Sequence, residues 1–153
     1  MVRLADLNEG LAKNLREMPM PVFETAPWTE AMPLREARVA IISTAGLHRR
    51  SDAVFAPGSS DYRLIPGDVD PADLLMSHVS VNFDRSGFQQ DVNVVFPVEL
   101  LRDLARQGEI GSVASWHYSF MGATDPSRME ETGRQVARLL KEDGVTAAIL
   151  VPV

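Results

Sequence analysis

The 153-residue sequence contains no cysteine, which excludes disulfides and thiolate metal sites within these residues. Any redox chemistry therefore requires a cofactor, a partner, or a residue outside this stretch. The sequence also lacks an apolar run long enough to span a bilayer, and its N-terminus lacks a secretory hydrophobic region. We therefore expect a cytoplasmic protein.

The sequence has no excess of positive charge. Its 15 Lys and Arg residues stand against 21 Asp and Glu residues, for a net charge of −6, which disfavours a nucleic-acid or anionic-membrane partner. It contains neither a Gly-x-x-x-x-Gly-Lys nor a Gly-x-Gly-x-x-Gly motif for phosphate binding. No Gly-x-Ser-x-Gly elbow surrounds Ser43, so a serine hydrolase is not predicted either.

The composition predicts two segments of different character. Residues 1–35 combine leucines at helical spacing with a proline-rich arm, in which we expect Phe23 and Trp28 to pack against the protein. Residues 36–153 carry alternating strand and helix signals, and form the predicted α/β domain.

The elements of the second segment follow from periodicity and turn residues. Predicted strands cover residues 38–44, 62–66, 76–82 and 110–119, with polar loops at 47–61 and 83–93. Helices are predicted after Pro97 and over residues 127–143. The final stretch, 145–153, is almost wholly apolar, which is typical of a parallel strand buried on both faces. The pattern predicts a mostly parallel, open sheet, flavodoxin- or Rossmann-like and incomplete at the C-terminus.

Polar side chains follow several of these strands. His48, His78 and His117 each lie near a predicted strand end, where parallel sheets place ligands, and histidine passes protons near neutral pH. With Asp84 and Asp91 they would form one polar pocket, although each histidine on its own is better explained as structural than as catalytic. Three imidazoles and a carboxylate also suit zinc or iron, but no His-x-His or His-x-x-x-His pair supports this, and no metal or bound cofactor is predicted.

Several short motifs together indicate a resemblance to a known family. The chain resembles the selenoprotein B family of glycine, sarcosine, betaine and D-proline reductases, and is most similar to the short D-proline-reductase-like members. The resemblance extends from about residue 38 to 153. It is carried by residues 44–48, 65–68, 77–78, 83–84, 91–97, 117–122 and 140–145.

The resemblance implies that the last strand leads into a selenocysteine-x-x-cysteine or cysteine-x-x-cysteine motif. The nucleophile is then expected directly after Val153, with no catalytic nucleophile inside the chain. One hypothesis is that a UGA selenocysteine codon closed the reading frame; a naturally or deliberately shorter chain is the alternative. A chalcogen at a strand end gains nucleophilicity from the positive end of a following helix.

The expected function is that of a component of a selenocysteine- or thiol-dependent reductase that cleaves a C–N bond in small amines or amino acids. The resemblance implies a pyruvoyl-bearing partner subunit and a thiol electron donor, and a homo-oligomer is possible. His48, His78 and His117 would donate protons. The candidate substrate-binding residues are Thr44, His48, His78, Asp84, Asp91, Asn93, His117 and Tyr118.

Two other functions stay open from the sequence: a non-catalytic small-molecule-binding or scaffold module, and a histidine-metal enzyme. The reductase hypothesis has a structural consequence. The last strand should end near the three histidines and leave part of one sheet face poorly covered.

Overall fold

The computed structural model describes residues 3–18, 22, 24, 26, 28–80 and 85–153. Its helices are α1 (Glu9–Glu17), α2 (Ser86–Gln90), α3 (Val98–Arg106) and α4 (Glu130–Glu142). Its strands are β1 (Arg38–Ser43), β2 (Leu47–Arg49), β3 (Tyr62–Pro66), β4 (Leu74–Met76), β5 (Ser112–Val113), β6 (Trp116–Phe120) and β7 (Ala147–Val151). The predicted α/β class is confirmed. Among the described helices, none is both long and apolar enough to cross a membrane.

The main sheet is built around β1. This strand pairs in parallel with β5 and β6 along one side and with β7 along the other. β3 joins the outer side of β6 in the antiparallel direction. β2 and β4 form a separate antiparallel pair. The sheet is therefore mixed but largely parallel, as predicted, while the flavodoxin or Rossmann winding stays a prediction.

The sequence of β1 explains its central place. Val39, Ile41 and Ile42 are β-branched and suit a pleated, buried strand. Ile41 belongs to a core that includes Phe96 and Leu101, whereas Ile42 packs against a second cluster that contains residues of α4. The sheet is thus covered by a different apolar layer on each face near β1.

Two predicted boundaries around the small sheet are wrong. The polar loop expected over residues 47–61 begins with β2, and the strand expected over residues 76–82 is instead β4, which ends at Met76. A 3₁₀ turn over Pro71–Asp73 leads directly into β4. Strands of three residues are too short to show alternation, so neither strand has a periodic signal in the sequence.

The single strand expected over residues 110–119 is interrupted. Arg38 pairs with Ser112, but Ile42 pairs with Tyr118, so two extra residues separate β5 from β6 relative to β1. This irregularity is a bulge-like break in a parallel ladder. It leaves one main-chain donor of β1 to be satisfied by a side chain.

The last strand, β7, is parallel to β1 over its full length, as predicted. Its predicted burial on both faces is wrong, because Leu150 is 70% exposed and Ile149 is 37% exposed. Among the described residues β7 pairs only with β1, and it therefore lies at an edge of the sheet. Part of one sheet face is poorly covered there, as the reductase hypothesis expects.

The N-terminal segment contributes little to this core. α1 forms where the leucine spacing predicts it, yet Leu11 and Leu15 stay more than a third exposed. Trp28 is 89% exposed, so its predicted packing is wrong, and Phe23 lies outside the described residues. The division of the chain near residue 35 stays a prediction.

Candidate functional site

Three strands end together at one edge of the main sheet, which we call the carboxyl rim: Thr44, Gly122 and Val153. Thr44 follows β1, and its N–H donates to the carbonyl of Val151 at 3.0 Å. The carbonyl of Thr44 accepts from the N–H of Gly122 at 2.9 Å, just beyond β6. The Thr44 side chain then holds Val153, whose N–H donates to Thr44 Oγ1 at 2.8 Å. The rim is where an open α/β sheet places its ligands.

His78 lies against the main chain two residues beyond Thr44. The N–H of Ser77 donates to the carbonyl of Gly46, two residues beyond Thr44. Gly46 has φ of +66°, and an added Cβ would lie only 3.0 Å from the N atom of His78. Glycine is therefore required for His78 to approach this closely.

The His78 ring is buried, with 4% of the residue exposed. Its Nδ1 accepts from the N–H of Ser80 at 3.1 Å, so that nitrogen carries no proton. Burial, with the positive charge of Arg85, lowers the pKa of His78. His78 is therefore neutral at neutral pH, with its proton on Nε2.

His48 lies farther along the chain on β2, opposite Leu75 of β4. It is 3% exposed, and its Nδ1 donates to the carbonyl of Arg49 at 2.8 Å. This bond requires a proton on Nδ1. His48 thus lies on one strand of the small sheet and His78 lies two residues beyond the other, and each ring has one nitrogen bonded to main chain.

His117 lies inside the main sheet rather than at its rim. Its Nδ1 accepts from the N–H of Ile41 at 3.0 Å, which satisfies the donor left over at the break between β5 and β6. The residue is fully buried and its ring meets the Phe96 ring at 5.5 Å. Within the described part of the chain, His117 Nε2 is buried without a hydrogen-bond partner.

Burial, with the positive charge of Arg102, lowers the pKa of His117 to about 4. The next residue, Tyr118, is also buried and points to the opposite face, where its ring meets Tyr62 at 5.8 Å. Burial and the nearby carboxylate of Asp143 raise the pKa of Tyr118 to about 12. The sheet therefore separates these two candidate residues.

The remaining candidates lie on the surface loop before α3. Asp91 Oδ1 accepts from the N–H and the Nδ2 of Asn93 at 2.9 and 2.8 Å. Asn93 Nδ2 also donates to Glu99 at 3.0 Å. These bonds cap a 3₁₀ turn, Val92–Val94, in the ordinary manner of such side chains. Asp84 lies outside the described residues.

The structure thus places Thr44 at the rim and His78 against Gly46. It places the other described candidates elsewhere: His48, Asp91, Asn93, His117 and Tyr118. Sequence reasoning missed the contribution of Gly122. An added Cβ there would lie 2.6 Å from the oxygen of Val153 and 2.8 Å from that of Thr44. A glycine directly after a strand is the only sequence signal for this contact.

No group of three His, Asp or Glu side chains in the described ranges is arranged to hold a metal ion. The histidine-metal alternative therefore gains no support from the geometry. The three histidines instead bond to the main chain at three different places.

Comparisons with known proteins agree on one family. The family model described as glycine/sarcosine/betaine reductase selenoprotein B matches residues 10–153. D-proline reductase subunit gamma of Acetoanaerobium sticklandii is 35% identical over 138 residues, which cover 88% of this chain and 56% of that protein. Sarcosine reductase complex component B subunit beta of Peptoclostridium acidaminophilum is 30% identical over 142 residues, which cover 88% of this chain and 32% of that protein.

A glycine reductase complex component B subunit gamma, from Carboxydothermus hydrogenoformans, is 28% identical over 140 residues. This chain spans about half of the D-proline reductase subunit and about a third of the two longer relatives. No solved structure matches. With the family model covering nearly all of its residues, the chain belongs to the glycine/sarcosine/betaine reductase selenoprotein B family.

Proposed function

We propose that this chain is part of a cytoplasmic reductase-complex subunit that reductively cleaves a C–N bond in a small amine or amino acid of the glycine or D-proline type. The observation that carries the proposal is the carboxyl rim. There a member of this family holds the residue that follows β7, Val153, against Thr44 and Gly122, which follow β1 and β6.

The nucleophile in this proposal is a selenocysteine or cysteine that directly follows Val153. Three features of the rim support it. The main chain at Val153 is held by Thr44, the rim is the ligand-binding edge of an open sheet, and His78 lies against Gly46 close by. A selenolate or thiolate placed there is stabilised if a helix begins next to it.

The proposed chemistry balances as a two-electron reduction. The selenol or first thiol and a second thiol become a selenosulfide or disulfide, and supply two electrons and two protons. The C–N bond breaks, the carbon takes one proton, and the nitrogen leaves as an amine with the other. A thiol donor then restores the pair.

Proton transfer in this scheme is best assigned to His78. Its Nδ1 is held by the N–H of Ser80 and its Nε2 carries the proton, so in this scheme Nε2 protonates the leaving amine and the proton released by the thiol restores Nε2. His48 is second, because its strand, β2, pairs with β4, and β4 ends two residues before His78. His117 is the least suited, since its ring lies fully buried inside the main sheet rather than near its rim.

The partners in the proposal are a pyruvoyl-bearing subunit, which would hold the amine substrate, and the thiol donor. The relatives are named as subunits or components of reductase complexes, which supports an assembly of several chains.

The test begins with the gene. We expect an in-frame UGA or cysteine codon directly after the Val153 codon, with a cysteine codon three positions on. The protein purified from its native source should then contain selenium by mass spectrometry when the codon is UGA. With its partner subunit and dithiothreitol, it should free the amine nitrogen of D-proline by opening the ring, or release ammonia or an amine from glycine derivatives.

A matched pair of variants sharpens the assay. His78→Gln should lower kcat by about 100-fold, a typical loss for a general acid–base residue, whereas Tyr118→Phe should leave kcat within about twofold. A frame without either codon, or a complete protein that releases no amine from any of these substrates, would contradict the proposal.

A further inference from the structure

The carboxyl rim contains a set of contacts to Val153 that the family comparison does not describe. We propose that Thr44 and Gly122 form a clamp that fixes the main chain at Val153, and that both are positioning residues for the reacting group of the subunit. This inference rests on the proposed function for its catalytic part, but the clamp itself is a property of this chain.

Thr44 acts on the last strand through both its main chain and its side chain. Its N–H donates to Val151, which completes the ladder between β1 and β7. Its Oγ1 then accepts from the N–H of Val153 at 2.8 Å and lies 3.4 Å from the Val153 oxygen. The hydroxyl therefore extends the pairing of the two strands by two residues.

Gly122 forms the other side of the clamp. Its N–H donates to the carbonyl of Thr44 at 2.9 Å. An added Cβ would lie 2.6 Å from the Val153 oxygen and 2.8 Å from the Thr44 oxygen, distances that real Cβ atoms do not adopt. Both of these contacts are with main-chain oxygens, so a larger residue at position 122 would push Val153 away from Thr44.

The clamp matters because β7 is an edge strand. In the described part of the chain β7 pairs only with β1, and Leu150 is 70% exposed. An edge strand with little burial frays readily beyond its last ladder bond. Since a displacement of about 1 Å at a reacting group costs on the order of 100-fold in rate, a strand end that carries such a group must not fray.

The chain also provides a matched control at the opposite end of the same strand pair. There the N–H of Arg38, the first residue of β1, donates to Oγ1 of Thr146, the residue just before β7, at 3.1 Å. The hydroxyls of Thr44 and Thr146 thus accept hydrogen bonds at opposite ends of one strand pair. Of these two threonines, only Thr44 contacts Val153.

The first experiment measures amide hydrogen exchange of this chain by NMR. Thr44→Val should speed exchange at the Val153 amide by about fivefold or more, the equivalent of one lost hydrogen bond. Thr44→Ser, which keeps the hydroxyl, should restore the slow rate. Thr146→Val should speed exchange at Arg38 and leave Val153 unchanged. Equal exchange at Val153 in the Thr44→Val and Thr146→Val variants would overturn the clamp.

The second experiment uses the complete native subunit with its partner. Thr44→Val and Gly122→Ala should lower kcat by at least tenfold with KM changed less than twofold, and Thr44→Ser should recover most of kcat. If exchange at Val153 responds but kcat does not, the positioning role is wrong. If the native subunit has no reductase activity, the proposed function fails while the exchange result still decides the clamp.

Discussion

His117 shows how one side chain replaces a main-chain acceptor. The break between β5 and β6 leaves the N–H of Ile41 facing no carbonyl, and the neutral imidazole accepts it at 3.0 Å. A protonated ring has no free lone pair on Nδ1, so protonation would break this bond. One of the three histidines that the sequence offers as proton donors thus depends on staying neutral.

This dependence predicts a pH effect on stability. The pKa of His117 is about 4 in the folded chain and near 6.5 when unfolded. As pH falls from 6.5 to 4 the unfolded state binds a proton that the folded state excludes, so the free energy of unfolding should fall by about 3 kcal/mol.

Urea denaturation at several pH values between 4 and 7.5 checks this prediction. The His117→Asn variant keeps an acceptor near Ile41 but does not titrate, so its loss over the same interval should be smaller than that of the wild type by about 3 kcal/mol. Parallel pH profiles for the two proteins would refute this account of His117.

At the scale of elements, the end of α4 is joined to the start of β1 and to the break beside β6. Arg38 donates to the Asp143 carboxylate at 2.6 Å and to the Asp143 carbonyl at 2.6 Å. The same carboxylate accepts from the N–H of Ser115 at 2.7 Å. Burial alone would raise the pKa of Asp143, but the bonds from Arg38 and Ser115 hold it below its ordinary value.

Removing this charge should therefore be costly. Asp143→Asn keeps the shape but loses charge-assisted bonds, and we expect the free energy of unfolding to fall by about 2 kcal/mol at pH 7. Glu130→Gln is the control, because its pair with Arg134 is more than 70% exposed on both sides and should contribute less than about 0.5 kcal/mol. Equal losses in the two variants, measured by urea denaturation, would contradict this assignment.

The elements that could be predicted are those with a complete local signal. β1 and β3 are short apolar runs closed by glycine, and α1 carries leucines at helical spacing. β2 and β4 could not be predicted, because a three-residue strand is defined by its partner and not by its own residue pattern. The exposure of β7 could not be predicted, because an apolar run does not show whether a strand has one neighbouring strand or two.

The site followed the same division. The positions of Thr44 after β1 and of Val153 beyond β7 follow from chain order, because parallel strands end at one edge of a sheet. The separation of His117 from Tyr118 follows from the predicted strand, because neighbouring residues of a strand point to opposite faces. No local residue pattern marks the break after β5, through which the His117 ring comes to accept from Ile41.

At the scale of the whole molecule, the open edge of β7 is the largest departure from a closed fold. Within the described ranges the outer side of β7 pairs with no strand, and together with the exposed Leu150 it forms a template for pairing with another strand. We expect this chain on its own to self-associate as its concentration rises.

Sedimentation velocity over a concentration series tests that expectation. Leu150→Lys should shift the chain towards monomer, because a charge on an edge strand opposes pairing. Leu100→Lys is the matched control, since Leu100 is 55% exposed on α3, away from the β7 edge, and its replacement should leave the association unchanged. A wild-type chain that stays monomeric throughout, or equal effects of the two changes, would show that β7 is not the contact.

The pairing of β1 also sets the order in which the molecule is assembled during translation. Arg38 meets Ser112 across 74 residues and Thr146 across 108, and every strand that pairs with β1 comes from the last part of the chain. The nascent β1 therefore leaves the ribosome long before any of its neighbours exists. Until β6 and β7 emerge, this apolar strand has no sheet to join, and the ribosome-bound chain should depend on chaperones over that interval.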